Sequence, residues 1–199
     1  IAANQAGNSN YTAATEVTQT FSIGQGSQSI AFGAAPTVVV DGTGTVSATG
    51  GASGNPVSFS SQSPAVCTVT GSTVSGVTAG SCVIAANQAG NSNYTAATEV
   101  TQTFSIGQGS QAILIASATP ASIAFGQTST LSTTGGSGFG SVTYAVTTGA
   151  SFCSVTGNTL TGTGVGTCTV TATKAADANY TAATATVNVE VLAAADLEI

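Results

Sequence analysis

The stretch IAANQAGNSNYTAATEVTQTFSIGQGSQ at residues 1–28 recurs letter for letter at 84–111, an offset of 83 residues. A diverged copy begins at Val170 as VTATKAADANYTAATATVNVEV. Self-similarity at such an interval marks an array of like units, and it constrains the fold before any local pattern is considered.

Working outward from the copies divides the chain. Residues 1–27 match the last third of a unit and have no partner strands before them, so they are expected to be the C-terminal fragment of an upstream repeat. The first complete unit spans 28–107 and the second 111–192, leaving 193–199 as a tail or linker. Each unit is small for a single hydrophobic core and calls for a covalent staple.

Inside the units, short β-branched or alternating runs are punctuated by Gly, Pro and Ser. In the first unit these are 29–33, 36–40, 45–49, 56–61, 65–70, 72–77, 81–86 and 99–106; in the second, 130–134, 141–146, 151–156, 158–163, 167–174 and 183–192. Val100, Gln102, Phe104 and Ile106 fall on one face of EVTQTFSI and Thr101, Thr103 and Ser105 on the other, with Gln102 the polar interruption of the apolar face. The Gly-rich stretches GQGSQ, GGASGN and GGSGFG read as hairpin turns, because no helix follows them to make a phosphate cradle. Seven or eight short strands in the first unit, with the scheme repeated in the second, predict an all-β fold: tandem immunoglobulin-like antiparallel β-sandwiches with one disulfide in each.

The cysteines recur with the units. Cys67 and Cys82 are 15 residues apart, as are Cys153 and Cys168. Four cysteines permit three connectivities. Pairing within each unit is the expectation, since each domain must close its own bond, and a loop of that length contributes roughly 3 kcal/mol in the chain-entropy model. Two thiols without His cannot complete a tetrahedral metal shell. Neither pair has the CxxC spacing of a redox centre, and no cation stands nearby to lower a thiol pKa. Structural disulfides point to an oxidising compartment, hence secretion or the cell surface.

Composition excludes several functions. Charged residues make up 4% of the chain, Lys174 is its one base, His is absent, and the net charge is −6. A nucleic-acid partner requires a row of cations to displace counterions, and an anionic membrane surface requires the same. No apolar run approaches the ~20 residues of a membrane-spanning helix. The acids Glu16, Asp41, Glu99, Asp177, Glu190, Asp196 and Glu198 are scattered. No carboxylate pair and no activated nucleophile emerges, so neither an enzyme nor a cofactor is expected.

The segment from Ser63 to Ile106 resembles the tandem bacterial immunoglobulin-like (Big/MBG-type) repeats of large secreted and surface proteins. The resemblance is carried by the hairpin CTVTGSTVSGV, the turn AGSC, the run ANQAGN, the NYTAA loop and the closing VTQTFSI strand. The second unit carries FCSVTGNTLTGTGVGTCTVTATKAADANYTAATATVNV in the same order. The resemblance implies a sandwich module used as stalk, spacer or building block in adhesins, fibres or sheaths. Its implied partners are neighbouring repeats, copies of itself, or surface glycans and proteins.

A few residues invite more specific readings. NYT at Asn10, Asn93 and Asn179 fits the N-glycosylation acceptor pattern, while Tyr11, Tyr94 and Tyr180 packing a loop against the sandwich is the competing account. Asp177 and Asn179 share a loop that a calcium ion could use, although turn geometry explains the same residues. Phe139 and Tyr144 are the aromatic side chains a glycan would stack on if the module bound carbohydrate. Lys174 is the one amine available for an isopeptide crosslink, and its counterpart in the first unit is Gln88. The orphan segment 1–27 suggests exchange of strands between chains into a filament, because open edges invite pairing.

Overall fold

A computed structural model describes residues 1–194, so most of the tail or linker assigned to 193–199 lies outside the described residues. Every regular element is a strand, and the strands form two sandwiches in tandem plus an isolated N-terminal hairpin.

In the first sandwich, one sheet runs in the order Val38–Val39, Val100–Gly107, Gly80–Gln88, Val57–Ser61. Its outermost pair, Val38–Val39 with Val100–Gly107, is parallel, and the others are antiparallel. The facing layer holds Thr43–Thr45, Thr73–Gly76 and Cys67–Thr70, with Ala31–Phe32 paired to Ala48–Thr49 beside them. The second sandwich repeats the scheme. Ser122–Ala124, Ala183–Leu192, Gly166–Lys174 and Val142–Thr148 form one sheet; Leu114–Thr119, Thr128–Gly135, Thr159–Gly162 and Cys153–Thr156 form the other.

Alternation is what makes the sheets two-faced. Along Val100–Gly107 the even positions turn inward, ending in fully packed Ile106, and the Thr and Ser positions face out. The strand Gly80–Gln88 runs through the centre of its sheet, and its Ile84, Ala85 and Ala86 are all buried. Val38, Val46, Val74, Ile84 and Ile106 form the first core around the Cys67–Cys82 bond. Ile123, Leu131, Leu160, Val170, Val189 and Val191 surround Cys153–Cys168 in the second. Each disulfide ties one sheet to the other, with Cα separations of 5.7 and 6.4 Å. Gln102, the polar interruption, donates from Nε2 to the Gly33 carbonyl at 2.9 Å.

Three sequence expectations change. The run 45–49 is two strands, because Val46 is buried with its N–H on the Ser72 carbonyl while the flanking residues pair with different partners. Leu114–Thr119 and Ser122–Ala124 are strands that the pattern did not mark, since the chain crosses between sheets at Pro120 and interrupts the alternation there. The three Gly-rich stretches are not hairpin turns. GGASGN and GGSGFG cross from one sheet to the other, and GQGSQ connects the sandwiches.

Residues 1–27 show how far burial depends on context. Their sequence equals that of the two central strands of the first sandwich, yet they form a short hairpin, Ala2–Ala3 with Val17–Thr18, that packs on no core. Ile1 is 81% exposed whereas the same residue in the copy, Ile84, is 0% exposed. Burial of that side chain is worth roughly 1.5–3 kcal/mol, a stabilisation the hairpin lacks.

Candidate functional site

Asp41, Asp177, Asn179 and Tyr180 meet at the junction between the sandwiches. It has three parts: an end of the first sandwich that acts as a socket, a loop of the second that acts as a plug, and the connector between them.

The plug is shaped locally. Asp177 Oδ1 accepts the N–H groups of Asn179 and Tyr180 at 2.8 and 2.9 Å, an Asx turn that folds the loop back on itself. Its other oxygen accepts the Phe139 N–H at 2.6 Å. These amides, Phe139 foremost and Asn179 next, hold the Asp177 carboxyl below its ordinary range against the opposing effect of burial, with the Tyr180 amide and then Lys174 adding lesser lowering. The carboxylate thus serves three backbone donors. The same turn recurs with Asn in place of Asp: Asn91 accepts from Asn93 and Tyr94, and Asn8 from Asn10 and Tyr11.

The plug enters the socket through two side chains. Asn179 Oδ1 accepts the Ala79 N–H at 3.0 Å, and the Tyr180 hydroxyl donates to Asp41 Oδ2 at 2.6 Å. The Tyr180 ring packs against the first core, where Val40 is 3% exposed. Tyr180 has its hydroxyl pKa raised, first by the hydrogen bond to Asp41, then by burial and by the charges of Asp41 and Asp177. Asp41 holds a left-handed backbone at φ 62°, where its counterpart in the second sandwich is Gly126 at φ 82°. A non-glycine residue in this region carries a conformational cost. Its carboxylate is what the joint uses.

The connector clips the two together. Gly109 bridges the loop in parallel, donating to the Asn179 carbonyl and accepting from Thr181, both at 2.9 Å. Gln108 Nε2 donates to the Asp177 carbonyl and Gln111 Nε2 to that of Ala175. A Cβ on residue 109 would lie 2.6 Å from the Val40 carbonyl oxygen, so the approach requires glycine. An equivalent clip holds the N-terminal segment to the first sandwich: Gly26 bridges Asn93 and Thr95, Gln25 reaches Asn91, and Gln28 reaches Ala89 and Thr95.

The other candidate residues are dispersed. Asn10 and Asn93 are exposed, while Asn179 is half-buried in the joint. Phe139 projects wholly into solvent and Tyr144 packs half-buried on the second core. Tyr144 borders a groove of about 410 Å³ with Val142 and Asn158, and Phe59 borders a corresponding groove of about 580 Å³ in the first sandwich; Phe139 lines neither. Lys174 lies beside Gly136, at the place where Gln88 holds the GGASGN loop by accepting from Gly51 and donating to Asn55. Among the described residues no three His, Cys, Asp or Glu side chains cluster as a metal site, and no helix is long and apolar enough to cross a membrane. Sequence reasoning missed Asp41 and the two clip glutamines. Recurrence of GQGSQ at the same distance from NYT in both copies was the signal that could have found the clip.

The fold and joint define a tandem of immunoglobulin-like sandwiches with a built connection. The sequence matches no protein-family model and none of the curated proteins. Among solved structures, domains 1–6 of the surface layer protein SbsC are similar at 16% identity and TM-score 0.32, over 87% of this chain and 29% of that one. The 282-residue C-terminal fragment of intimin, in complex with the intimin-binding domain of its translocated receptor, aligns at 15% identity and TM-score 0.36, over 81% and 63%. Mouse cadherin-23 repeats EC22–24 align at 16% and 0.37, over 86% and 65%. The chain therefore spans less than a third of the SbsC chain and just under two thirds of the other two.

Proposed function

We infer that the chain is a structural module of an extracellular repeat protein, a segment of a stalk, fibre or sheath whose units are held in line by the three-part joint. The observation that carries this reading is the joint itself. Contacts from a side-chain amide clip, a parallel backbone bridge, the Asn179–Ala79 bond and the Tyr180–Asp41 bond resist bending where a flexible linker would permit it. Disulfides in both sandwiches support an oxidising, secreted or surface setting. The scattered acids and the lack of His support a non-catalytic role.

Electron microscopy of the purified chain, with intact mass measured under reducing and non-reducing conditions, tests the reading. Straight two-bead rods with both disulfides intact are expected, and a broad distribution of angles between the beads would remove it.

Two other readings rest on particular features. The exposed apolar face of residues 1–27, identical in sequence to a buried one, supports exchange of strands between chains. The open grooves beside Phe59 and Tyr144, with the exposed Phe139, support carbohydrate binding, for which a glycan array is the direct test.

A further inference from the structure

Strand register decides which outward side chains stand beside one another across a sheet, just as alternation decides which ones point outward. On one face of each sandwich it assembles a grid of hydroxyls.

In the first sandwich the grid lies on the layer formed by Thr43–Thr45, Thr73–Gly76 and Cys67–Thr70. Thr43, Ser75 and Thr68 are aligned across the three strands, and so are Thr45, Thr73 and Thr70. The second sandwich repeats both rows on its corresponding layer, as Thr128, Thr161 and Ser154 and as Thr130, Thr159 and Thr156. Thr119 extends the latter row onto a fourth strand. Val74, Leu131 and Leu160, which alternate with the grid residues, are buried, so the hydroxyls lie on the opposite side of the layer from the core.

The two units keep this face alike while they differ elsewhere. Every place in the rows carries a hydroxyl in both, and all but Ser75 and Ser154 are threonine. On the other sheet, Val83, Ala85 and Ser60 stand where the second sandwich has Thr169, Thr171 and Ala145. The hydroxyls also differ in what they bond. No grid hydroxyl has a hydrogen-bond partner among the described residues, whereas on the other sheet Thr169 donates to Asn188 at 2.8 Å and Thr147 bonds Thr171 at 3.1 Å. No strand that builds either grid contains an ionisable side chain, in a chain of net charge −6.

We propose that the two hydroxyl grids bind the surface of ice. Adjacent strands lie about 4.8 Å apart and alternate residues about 6.7 Å apart along a strand, repeats that approach those of the water molecules on the prism faces of an ice crystal. Threonine suits such a lattice because its branched β-carbon restricts χ1 and fixes the oxygen, and its methyl group displaces loosely held water beside it. The absence of charge matches an uncharged crystal: an ionised group would hold its own hydration shell out of step with the lattice. It also leaves a polyanion or an ionic mineral without a counter-charge, and the absence of aromatic side chains leaves a sugar ring without a platform. Neighbouring strands rotate by about 20–25°, so only a narrow patch of sheet meets a flat crystal face, and a grid three strands wide is such a patch. Each hydroxyl contributes little by itself, and two grids linked in one chain raise the strength of attachment without any new contact. This inference goes beyond the structural reading above and does not depend on the joint.

Partition during slow freezing tests it. The full chain is frozen from dilute solution onto a cold surface together with an inert soluble protein, and ice and liquid are assayed separately. Several-fold enrichment of the chain in the ice over the inert protein is expected. Thr73→Tyr combined with Thr159→Tyr sets a ring at the centre of each grid, holds the face off a flat surface, and is expected to lower the enrichment to the level of the inert protein. Thr103→Tyr combined with Thr186→Tyr, at outward positions of the other sheets, is expected to leave it unchanged. A wild-type chain excluded from ice overturns the proposal, and enrichment that survives Thr73→Tyr with Thr159→Tyr overturns the grids as the site. Equal loss with Thr103→Tyr and Thr186→Tyr overturns the assigned face. Exclusion from ice together with self-association in sedimentation that Thr73→Tyr and Thr159→Tyr abolish overturns ice in favour of a second copy as the occupant. Melting of each variant, followed by circular dichroism, separates a lost surface from a lost fold.

Discussion

The hydroxyl of Tyr180 in the second sandwich donates to the carboxylate of Asp41 in the first at 2.6 Å, a bond between residues 139 apart in sequence. Asp41 adopts φ 62° to present that oxygen, at a site where the second sandwich has glycine. Replacing it separates two effects that oppose each other. Asp41→Gly removes the acceptor and relieves the left-handed backbone, so the first sandwich is expected to melt at the same temperature or slightly higher while the joint loosens. Asp41→Ala removes the acceptor and keeps the strain, and is expected to lose about 1 kcal/mol relative to glycine. Melting curves read the first quantity and small-angle scattering the second; equal melting of the two variants would contradict the strain argument.

Alkali should open the same joint. The folded-state pKa of Tyr180 is raised, so its stabilising contribution is complete below the unfolded value of about 10 and is lost as pH rises through the folded value. Tyrosinate absorbance is expected to show one hydroxyl titrating later than the rest, and that late step to disappear in Asp41→Gly.

Acid acts on the plug. The folded-state pKa of Asp177 is lowered, so its contribution is present above the unfolded value of about 3.9 and is lost as pH falls through the folded value. Asp177→Asn is expected to keep the turn, as Asn91 does with an amide oxygen, but to release the Phe139 N–H, which an amide nitrogen cannot accept. Asp177→Ala leaves three backbone donors without their acceptor and should loosen the loop clearly. Amide hydrogen exchange at Phe139, Asn179 and Tyr180 reads the difference.

Reduction of the disulfides should be costly for both units. Each bond joins the two sheets of a small sandwich across a separation of 15 residues, and removing such a bond typically costs 2–5 kcal/mol. Melting in the presence of reductant is expected to fall steeply, and a melting temperature unchanged by reduction would show that the cores suffice alone.

Gly109→Ala addresses the clip. The added methyl meets the Val40 carbonyl, so the connector must retreat from the Asn179 loop. Both sandwiches are expected to keep their melting temperatures while the rod bends more freely in scattering, and a straight rod would show the clip to be dispensable.

Much of this was legible from the residues because it depends on neighbours in sequence. The alternation of Val100 to Ile106 separates core from solvent, the paired cysteine spacing marks the sheet-to-sheet staples, and Asn or Asp two residues before Asn-Tyr makes its own turn wherever it stands. The strands at Leu114–Thr119 and Ser122–Ala124 were not legible, since their alternation breaks where the chain changes sheets. Asp41 looked like one scattered acid, and the grouping of Asp41, Ala79, Gly109 and Tyr180 spans both units.

The exact repeat draws the line most clearly. The sequence alone determined the unit, its strands, its staple and the turn of its Asn-Tyr loop, because period-two alternation and Asx hydrogen bonds are local and act the same in every copy. Only the tertiary structure decided what each copy becomes. Residues 84–107 lie in central strands of a sandwich and 1–24, with the same letters, are an exposed hairpin, because burial requires partner strands that the first segment does not meet among the described residues. The physical reason is that apolar stabilisation and long-range hydrogen bonds belong to pairs of surfaces, and a single stretch of chain carries only one of each pair.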